Sequence, residues 1–207
     1  MSTYKLYWRE GSGSLLPEIA LAMCGADVER IRVPTKPEQR SAAFLAINPA
    51  AQIPVLILPD GTTVTETAAM AIVLAEAYPA AGILPPLASS ARALALRWLM
   101  YMATTGYPAA LRCYYAERYT SDPSAAAREA VRNAATAESD RVFAVLAEAI
   151  TGPFLFGDTP FIVDVYLAML ADWHPPALEL APIRRLYDSV LADPVIGKAW
   201  QRHEQAA

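Results

Sequence analysis

One stretch of sequence decides the fold of this chain, and it reads Asn48-Pro-Ala-Ala-Gln-Ile-Pro-Val-Leu-Ile-Leu-Pro-Asp-Gly-Thr-Thr-Val-Thr-Glu-Thr67. Pro54 stands directly before the apolar run 55–58, and a proline fits the first position of a strand because it cannot donate a ladder hydrogen bond. In Pro59-Asp60-Gly61 the proline presets φ and the glycine supplies a positive φ, which predicts a tight turn. Residues 62–65 then read as the return strand of a hairpin.

A helix is predicted directly after this hairpin. Glu66-Thr67 opens an apolar-periodic segment that runs through Tyr78. The first N–H groups of a helix have no partner within the helix and carry partial positive charge. Backbone donors and an acidic side chain therefore meet around one point, an arrangement that suits a small zwitterionic peptide.

The motifs of this stretch resemble the glutathione-binding half of the glutathione S-transferase family. They are Gln52-Ile-Pro-Val-Leu56, Asp60-Gly61 and Thr65-Glu-Thr67, where the family reads roughly Gln/Lys-Val-Pro-x-Leu, a turn, and Glu/Gln-Ser. Thr67 replaces the usual serine and keeps its hydroxyl. The resemblance covers nearly the whole chain; it is specific for the fold and for glutathione, and says little about the second substrate.

Composition excludes several classes of protein. The 207 residues are 55% hydrophobic and 18% charged, which is typical of a folded protein with a sizeable core. A net charge of -4 without a basic run gives no footprint for nucleic acid. The N-terminus lacks the apolar core of a signal peptide, and no apolar stretch approaches the length of a membrane span.

The few cysteines and histidines add two expectations. Cys24 and Cys113 make no disulfide framework, so a reducing compartment, the cytoplasm, is expected. His174 and His203 together with these two distant cysteines give no metal-ligand spacing, so no metal is expected.

The first third of the chain predicts a thioredoxin-like domain over 1–79. Residues 4–8 alternate with period two and indicate a strand, residues 15–24 carry one apolar helical face, and residues 28–33 indicate a second strand. Strand, helix, strand, hairpin and closing helix is the thioredoxin-like order, with parallel pairing of the first two strands and antiparallel pairing in the hairpin.

The rest of the chain predicts an all-helical domain over 88–207, after a proline-rich linker at 79–88 in which Ser89-Ser90 caps the next helix. No segment after the linker has the period of a strand. The first predicted helix spans 91–119 with a kink at Gly106-Tyr107-Pro108, and the second spans 122–150 with Pro123 at its first position. A third helix is capped by Thr159-Pro160 and ends at 173. Two more helices, 183–191 and 195–203, finish the chain. An α/β thioredoxin-like domain followed by an all-α domain is the glutathione S-transferase fold.

A second family signature lies in this helical half. Gly157-Asp-Thr-Pro-Phe-Ile-Val-Asp164-Val-Tyr-Leu resembles the family pattern Gly-Asp-x-x-Ser/Thr-x-Ala-Asp-x-x-Leu. Asp164 matches, and we expect it to be a buried structural carboxylate that accepts backbone N–H groups. Phe161 occupies the Ser/Thr capping position, and the loss of a side-chain cap typically costs about 1 kcal/mol. Thr159 offers a substitute cap.

The group that would stabilise the glutathione thiolate is expected in the loop after the first strand, as the family places it. The ending Ser14-Leu-x-Pro17 resembles the bacterial beta class, but Gly13 stands where that class has a cysteine. Ser12 and Ser14 are therefore the candidate catalytic residues, and Tyr7 remains an alternative. Ser14 has a competing role as the N-cap of the first helix, and Ser12 can be an ordinary loop serine.

The resemblance also implies the residues that hold glutathione. Glu66 would bind the α-amino group, while the hydroxyl and N–H of Thr67 would bind the γ-glutamyl carboxylate. Ile53 would offer its backbone to the cysteinyl moiety, with the bond to Pro54 in the cis form, and Gln52 would hold the glycine carboxylate. The alternative for Glu66 is that it only complements the helix dipole.

An aromatic cluster on the long predicted helix is the candidate electrophile pocket. Tyr101, Tyr107 and Arg112 are the principal candidates, with Tyr114 and Tyr115 beside them. Tyrosine has a polar end that suits a cleft. The alternatives are that the aromatic residues belong to the core and that the arginine forms a structural ion pair.

The resemblance thus implies a cytoplasmic, homodimeric enzyme of detoxification that joins the thiolate of glutathione, its co-substrate, to a small hydrophobic electrophile. Two alternatives stay open because a fold does not fix a function. One is a glutathione-dependent isomerase, dehalogenase or reductase. The other is a binding or adaptor protein without turnover. No nucleic acid or membrane partner is expected.

Overall fold

The computed structural model describes residues 3–33, 36–39 and 41–205. The chain forms two compact units: Met1–Pro85 with Leu191–Ala207, and Pro86–Val190. The division of the sequence into domains at 1–79 and 88–207 stays a prediction. In space, the end of the chain packs with the first unit.

The first unit is built on one mixed sheet. Within the described residues it has four strands in the order β2-β1-β3-β4. Their bounds are β1 (Tyr4–Trp8), β2 (Val28–Arg32), β3 (Val55–Ile57) and β4 (Thr63–Val64). β1 and β2 run parallel with Tyr4 opposite Val28, whereas β3 is antiparallel to both β1 and β4. The predicted strands and their directions are confirmed; the hairpin strands are shorter than expected.

Helices cover both faces of this sheet. They are α1 (Leu15–Met23), α2 (Lys36–Gln39), α3 (Ala42–Ile47) and α4 (Thr67–Ala77), followed by a short 3-10 turn at Pro79–Ala81. Alternation along β1 buries Leu6 and Trp8 on the side of α1. Tyr7 points to the other side, where it packs with Phe44 of α3.

Apart from one isolated antiparallel bridge between Phe154 and Gly157, the regular elements described in the second unit are helices. Its helices are α5 (Ser90–Tyr101), α6 (Tyr107–Tyr114), α7 (Ala125–Ala149), α8 (Ile162–Asp172) and α9 (Ala181–Ala192), the last of which ends in the first unit; short 3-10 turns lie at Ala116–Arg118 and Pro175–Glu179. Together with the sheet of the first unit, these helices confirm the predicted fold class.

The predicted long helix 91–119 is interrupted where the kink was expected. A π-helical turn spans Met102–Gly106, and the N–H of Tyr107 donates to the carbonyl of Met102. Pro108 follows, and since proline has no N–H it cannot continue the α-helical ladder; a wider turn at this point is one of the known ways to absorb the break. Gly106 also lets α8 approach, because a Cβ there would lie 3.2 Å from Leu170 Cδ1.

Two predicted helix starts are wrong, and one cap is confirmed. Ser89 caps α5 by accepting the N–H of Arg92 at 3.1 Å. The next long helix begins at Ala125 and not at Asp122-Pro123, because Ser124 accepts the N–H of Ala127 at 3.2 Å and so provides its cap. Thr159 does not cap α8, whose N-cap is Phe161 without a side-chain cap.

The last helix, α10 (Pro194–Gln205), joins the first unit through a buried carboxylate that the sequence reading did not single out. Glu18 of α1 is fully buried. Its oxygens lie 2.8 Å from His203 Nδ1, 3.1 Å from Arg202 Nε and 3.0 Å from Arg30 Nε. The ring of His203 also packs on Trp8, with 5.2 Å between ring centroids. Glu18 therefore connects α1, β2 and α10.

Candidate functional site

The sheet topology brings three predicted segments to one edge. The serine loop leaves the end of β1, the Ile53–Pro54 segment enters the start of β3, and Glu66-Thr67 follows the end of β4. Because β3 is antiparallel to both β1 and β4, the end of β1, the start of β3 and the end of β4 lie at the same side of the sheet. Residues separated by more than fifty positions in sequence are thereby gathered.

The segment before β3 has the predicted backbone. The Ile53–Pro54 bond is cis, which confirms the prediction. Pro54 is buried, Ile53 is half-buried and Gln52 is exposed. Ile53 lies outside the ladder, which begins at Val55. Its backbone groups therefore lie beside the sheet edge, where an extended peptide could bind them.

Asn48 shapes this segment and was missed as a site residue. It is 4% exposed, and its Nδ2 donates to the carbonyl of Gln52 at 2.8 Å. Its Oδ1 accepts the N–H of Ala50 at 3.1 Å, and Ala51 has a positive φ of 55°. An asparagine that bonds the backbone two residues later is a recognised turn device. The Asn48-Pro49 pair was the available signal.

Glu66 and Thr67 stand at the start of α4. Glu66 is exposed and has φ 65° and ψ 112°, an uncommon conformation for a residue with a side chain. Its carbonyl accepts the N–H of Met70 at 3.0 Å, but its side chain makes no capping bond. Strained backbone of this kind costs about 1–3 kcal/mol and is concentrated at functional sites. The carboxylate is thus presented to solvent at the N-terminus of α4.

The two candidate serines are not free loop residues. Ser14 is fully buried and Ser12 is 8% exposed. The hydroxyls of both contact the carbonyl of Arg9, at 2.6 Å for Ser12 and 2.9 Å for Ser14, and the two Oγ atoms are 2.7 Å apart. Ser14 Oγ also accepts the N–H of Arg9 at 3.1 Å. The loop is therefore closed onto the residue that follows β1.

The competing role of Ser14 takes an unexpected form. Ser14 occupies the N-cap position of α1, but its side chain makes no capping hydrogen bond. Its hydroxyl is turned back to Arg9, and the N–H of Ser14 lies 3.3 Å from Ser12 Oγ. Gly11, with φ 59°, allows the reversal of the chain between these contacts. The alternative donor, Tyr7, has its ring edge-on to Phe44 at 5.8 Å on the α3 side of the sheet.

The candidate electrophile residues in the second unit fall into separate groups. Tyr107 packs edge-on against Trp173 at 5.4 Å, and Tyr114 donates its hydroxyl to the carbonyl of Trp173 at 2.9 Å. Tyr101 packs against Trp98 at 5.7 Å instead. Trp173, noted in the sequence only as a helix end, is thus the centre of the cluster.

Arg112 forms an ion pair, which is the structural alternative to a role in the electrophile pocket. Its guanidinium contacts the carboxylate of Glu138 on α7, with both side chains about one-third exposed. Tyr114 is the most exposed of the aromatic group, at 58%. Burial of its hydroxyl, followed by the charge of Asp172, raises its pKa above the ordinary value. Within the described residues, no group of three His, Cys, Asp or Glu side chains could hold a metal ion.

Asp164 has the structural role that we expected. It is fully buried, and its two oxygens accept the N–H of Leu155 and of Phe161, each at 2.8 Å. The bond from Phe161 supplies half of a capping box, which offsets the missing cap of α8. Burial raises the pKa of Asp164 to about 6, while these N–H groups oppose the shift.

The first unit matches a known family. Residues 17–77 match the family model of the glutathione S-transferase N-terminal domain. Among solved structures, the chain superposes on a glutathione transferase homolog from Sulfitobacter with bound glutathione, with a TM-score of 0.88 and 22% identity, over 98% of this chain and 99% of that one. At this identity the likeness shows the fold.

Two curated relatives come from Escherichia coli. The uncharacterized GST-like protein YncG of strain K12 is 26% identical over 173 residues, which cover 83% of this chain and 82% of YncG. Glutathione S-transferase GstA of O157:H7 is 35% identical over 102 residues, which cover 48% of this chain and 51% of GstA. The domain match places residues 17–77 in the glutathione S-transferase N-terminal family, and the superposition shows that the whole chain has the glutathione S-transferase fold.

Proposed function

We propose that this protein binds glutathione and joins its thiolate sulfur to a small hydrophobic electrophile. The observation that carries the proposal is the gathering of the serine loop, the cis-proline segment and Glu66-Thr67 at one edge of the sheet. Each segment brings a different kind of group: hydroxyls, free backbone, and a carboxylate beside a helix N-terminus. These match the chemical parts of glutathione.

Glutathione would be held by its polar ends and its backbone. The exposed carboxylate of Glu66 suits the α-amino group, and the N-terminus of α4 at Thr67 suits the γ-glutamyl carboxylate. Ile53 would pair with the cysteinyl backbone from outside the ladder, as an added strand does. Gln52, exposed beside it, would bind the glycine carboxylate.

Catalysis requires more thiolate at neutral pH than a free thiol provides. A donor that bonds the sulfur favours the charged form, and each unit by which the thiol pKa falls is about 1.36 kcal/mol. We assign this donor to Ser12, close to the start of α1. The thiol proton passes to solvent, the sulfur forms a bond to carbon, and the leaving group departs with its bonding electrons. Tyr101, Tyr107 and Arg112 of the second unit are the residues proposed for the electrophile.

One observation favours a second candidate, a glutathione-binding adaptor without turnover. The hydroxyls of Ser12 and Ser14 both contact the carbonyl of Arg9, and a hydroxyl cannot donate to sulfur while its one proton is on that carbonyl. A glutathione-dependent isomerase, dehalogenase or reductase would use the same glutathione site and differ only in the second substrate.

Binding to immobilised glutathione followed by turnover with an aromatic halide separates these candidates. Retention with elution by free glutathione, followed by conjugate formation, supports the transferase. Retention without turnover supports the adaptor. A Glu76→Ala variant is the matched control for Glu66→Ala, because Glu76 is an exposed glutamate near the other end of α4; only Glu66→Ala should lose retention.

We also propose that the protein is a cytoplasmic homodimer with a role in detoxification. Cys24 and Cys113 are free cysteines, and a reducing compartment is the default for a chain without a disulfide framework. No described helix is both long and apolar enough to cross a membrane. The homodimer rests on the resemblance to the family; Leu94 and Met100 of α5 are more than 40% exposed.

A further inference from the structure

The hydroxyl groups of Ser12 and Ser14 have two protons between them but take part in three close oxygen–oxygen contacts. Three oxygen–oxygen contacts of 2.6, 2.9 and 2.7 Å join Ser12 Oγ, Ser14 Oγ and the carbonyl oxygen of Arg9. Each hydroxyl has one proton, and a carbonyl has none. One of the three contacts must therefore lack a proton at any moment, so the network has more than one arrangement of its hydrogen bonds.

The arrangements differ in which serine donates its hydrogen bond to the carbonyl of Arg9. Ser14 can donate to Arg9 while Ser12 donates elsewhere, or Ser12 can donate to Arg9 while Ser14 donates to Ser12 Oγ. In the first arrangement Ser12 is free to donate its proton to another group, and the carbonyl of Arg9 still has Ser14 as its donor. Arg9 is half-buried, and leaving its carbonyl without a donor is unfavourable, so the release of Ser12 depends on Ser14.

We propose that Ser14 is a positioning residue that frees the hydroxyl of Ser12 for the glutathione sulfur, an inference that rests on the proposed function. Ser14 contacts both backbone groups of Arg9, since its Oγ accepts the N–H at 3.1 Å and donates to the carbonyl. It is fully buried, so it does not itself reach the ligand. Ser12, which is 8% exposed, is the member of the pair that a ligand could reach.

Removal of the Ser14 hydroxyl would keep the proton of Ser12 in its hydrogen bond to the carbonyl of Arg9. The carbonyl of Arg9 would then have Ser12 as the sole donor of this network. A thiolate would have to compete with that carbonyl for the proton. The thiol pKa in the complex should rise although Ser12 is unchanged.

The test is a pH titration of bound glutathione, followed by the ultraviolet absorbance of its thiolate, in parallel with the pH profile of turnover. Ser12→Ala should raise the midpoint by about one pH unit, which is a tenfold loss of thiolate below the midpoint. Ser14→Ala should raise it by a similar amount, with glutathione affinity changed less than twofold when it is measured below both midpoints, where the bound thiol is protonated in both proteins. The double variant should show no further shift, because both changes remove the same donor. Ser14→Thr, which keeps the hydroxyl, should restore the wild-type midpoint.

Ser14→Cys serves if Ser14→Ala does not fold, because a thiol has similar volume and is a weak donor; it should also raise the midpoint. The proposal is overturned if Ser14→Ala, or Ser14→Cys in its place, keeps the wild-type midpoint while Ser12→Ala raises it. Additive shifts in the double variant overturn it as well. An unchanged midpoint in Ser12→Ala overturns the proposal too, because Ser12 would then not act on the sulfur. The proposed function fails separately, if the wild type binds no glutathione.

Discussion

Replacement of Glu18 by glutamine is expected to destabilise the protein by about 3 kcal/mol. Breaking a buried ion pair by removing one partner costs about 3–5 kcal/mol, because the other charge stays buried. Here Arg30 and Arg202 are 29% and 42% exposed, so water can solvate both when the carboxylate is gone. The lower end of the range therefore applies, and the ring of His203, which is 2% exposed, loses its carboxylate partner.

This loss is measured by urea unfolding and by thermal melting. For a chain of this size, about 3 kcal/mol corresponds to a melting temperature lower by about 6–12 °C. The matched control is Glu29→Gln, because Glu29 pairs with Lys5 at 3.2 Å and both side chains are about half exposed. Exposed pairs contribute about 0.2–1 kcal/mol. Equal losses in the two variants would refute the argument from burial.

The pH dependence of stability gives an independent check on Glu18. Burial opposes its ionisation, but the hydrogen bond from His203 and the charge of Arg30 outweigh burial, so its pKa lies below the ordinary 4.5. The unfolded state therefore binds more protons than the folded state as the pH falls below 4.5. The contribution of Glu18 to stability is complete above this pH and is lost below it. Glu18→Gln should flatten this acid limb, and an unchanged limb would contradict the assignment.

Two further predictions concern stability and assembly. Asp164→Ala should lower the free energy of unfolding by about 1–3 kcal/mol, because the buried N–H groups of Leu155 and Phe161 lose their acceptor; a normal melting temperature with lost turnover would show a catalytic role instead. The protein should sediment as a C2 dimer, with the first domain of one chain on the long helix of the other, and a concentration-independent mass near 22.4 kDa would refute this.

Local patterns in the sequence predicted the sheet and its edge. The period of two in Tyr4–Trp8 gives the bounds of β1, and the proline before the apolar run gives the start of β3. These signals are local because a strand alternates and a proline lacks its N–H. The positive φ of Glu66 has no such signal, since any residue except glycine is unfavourable there.

Contacts made at long range or within an irregular loop could not be predicted in the same way. The partners of Glu18 include His203, 185 positions later, and a lone glutamate on an apolar helix face gives no indication of that distance. The contacts of Ser12 and Ser14 with Arg9 depend on where a short loop turns, which residue types alone do not determine. The role of Ser14 therefore becomes visible only when the distances are known.

The central claim, that glutathione binds at this sheet edge through Glu66, is tested most directly by isothermal titration calorimetry of the wild type and of Glu66→Ala with glutathione. A charge-assisted contact contributes about 1.5–3 kcal/mol, so the variant should bind about ten- to one-hundred-fold more weakly with an unchanged melting temperature. Glutathione binding of equal affinity to both proteins, or no binding to the wild type, would contradict the account.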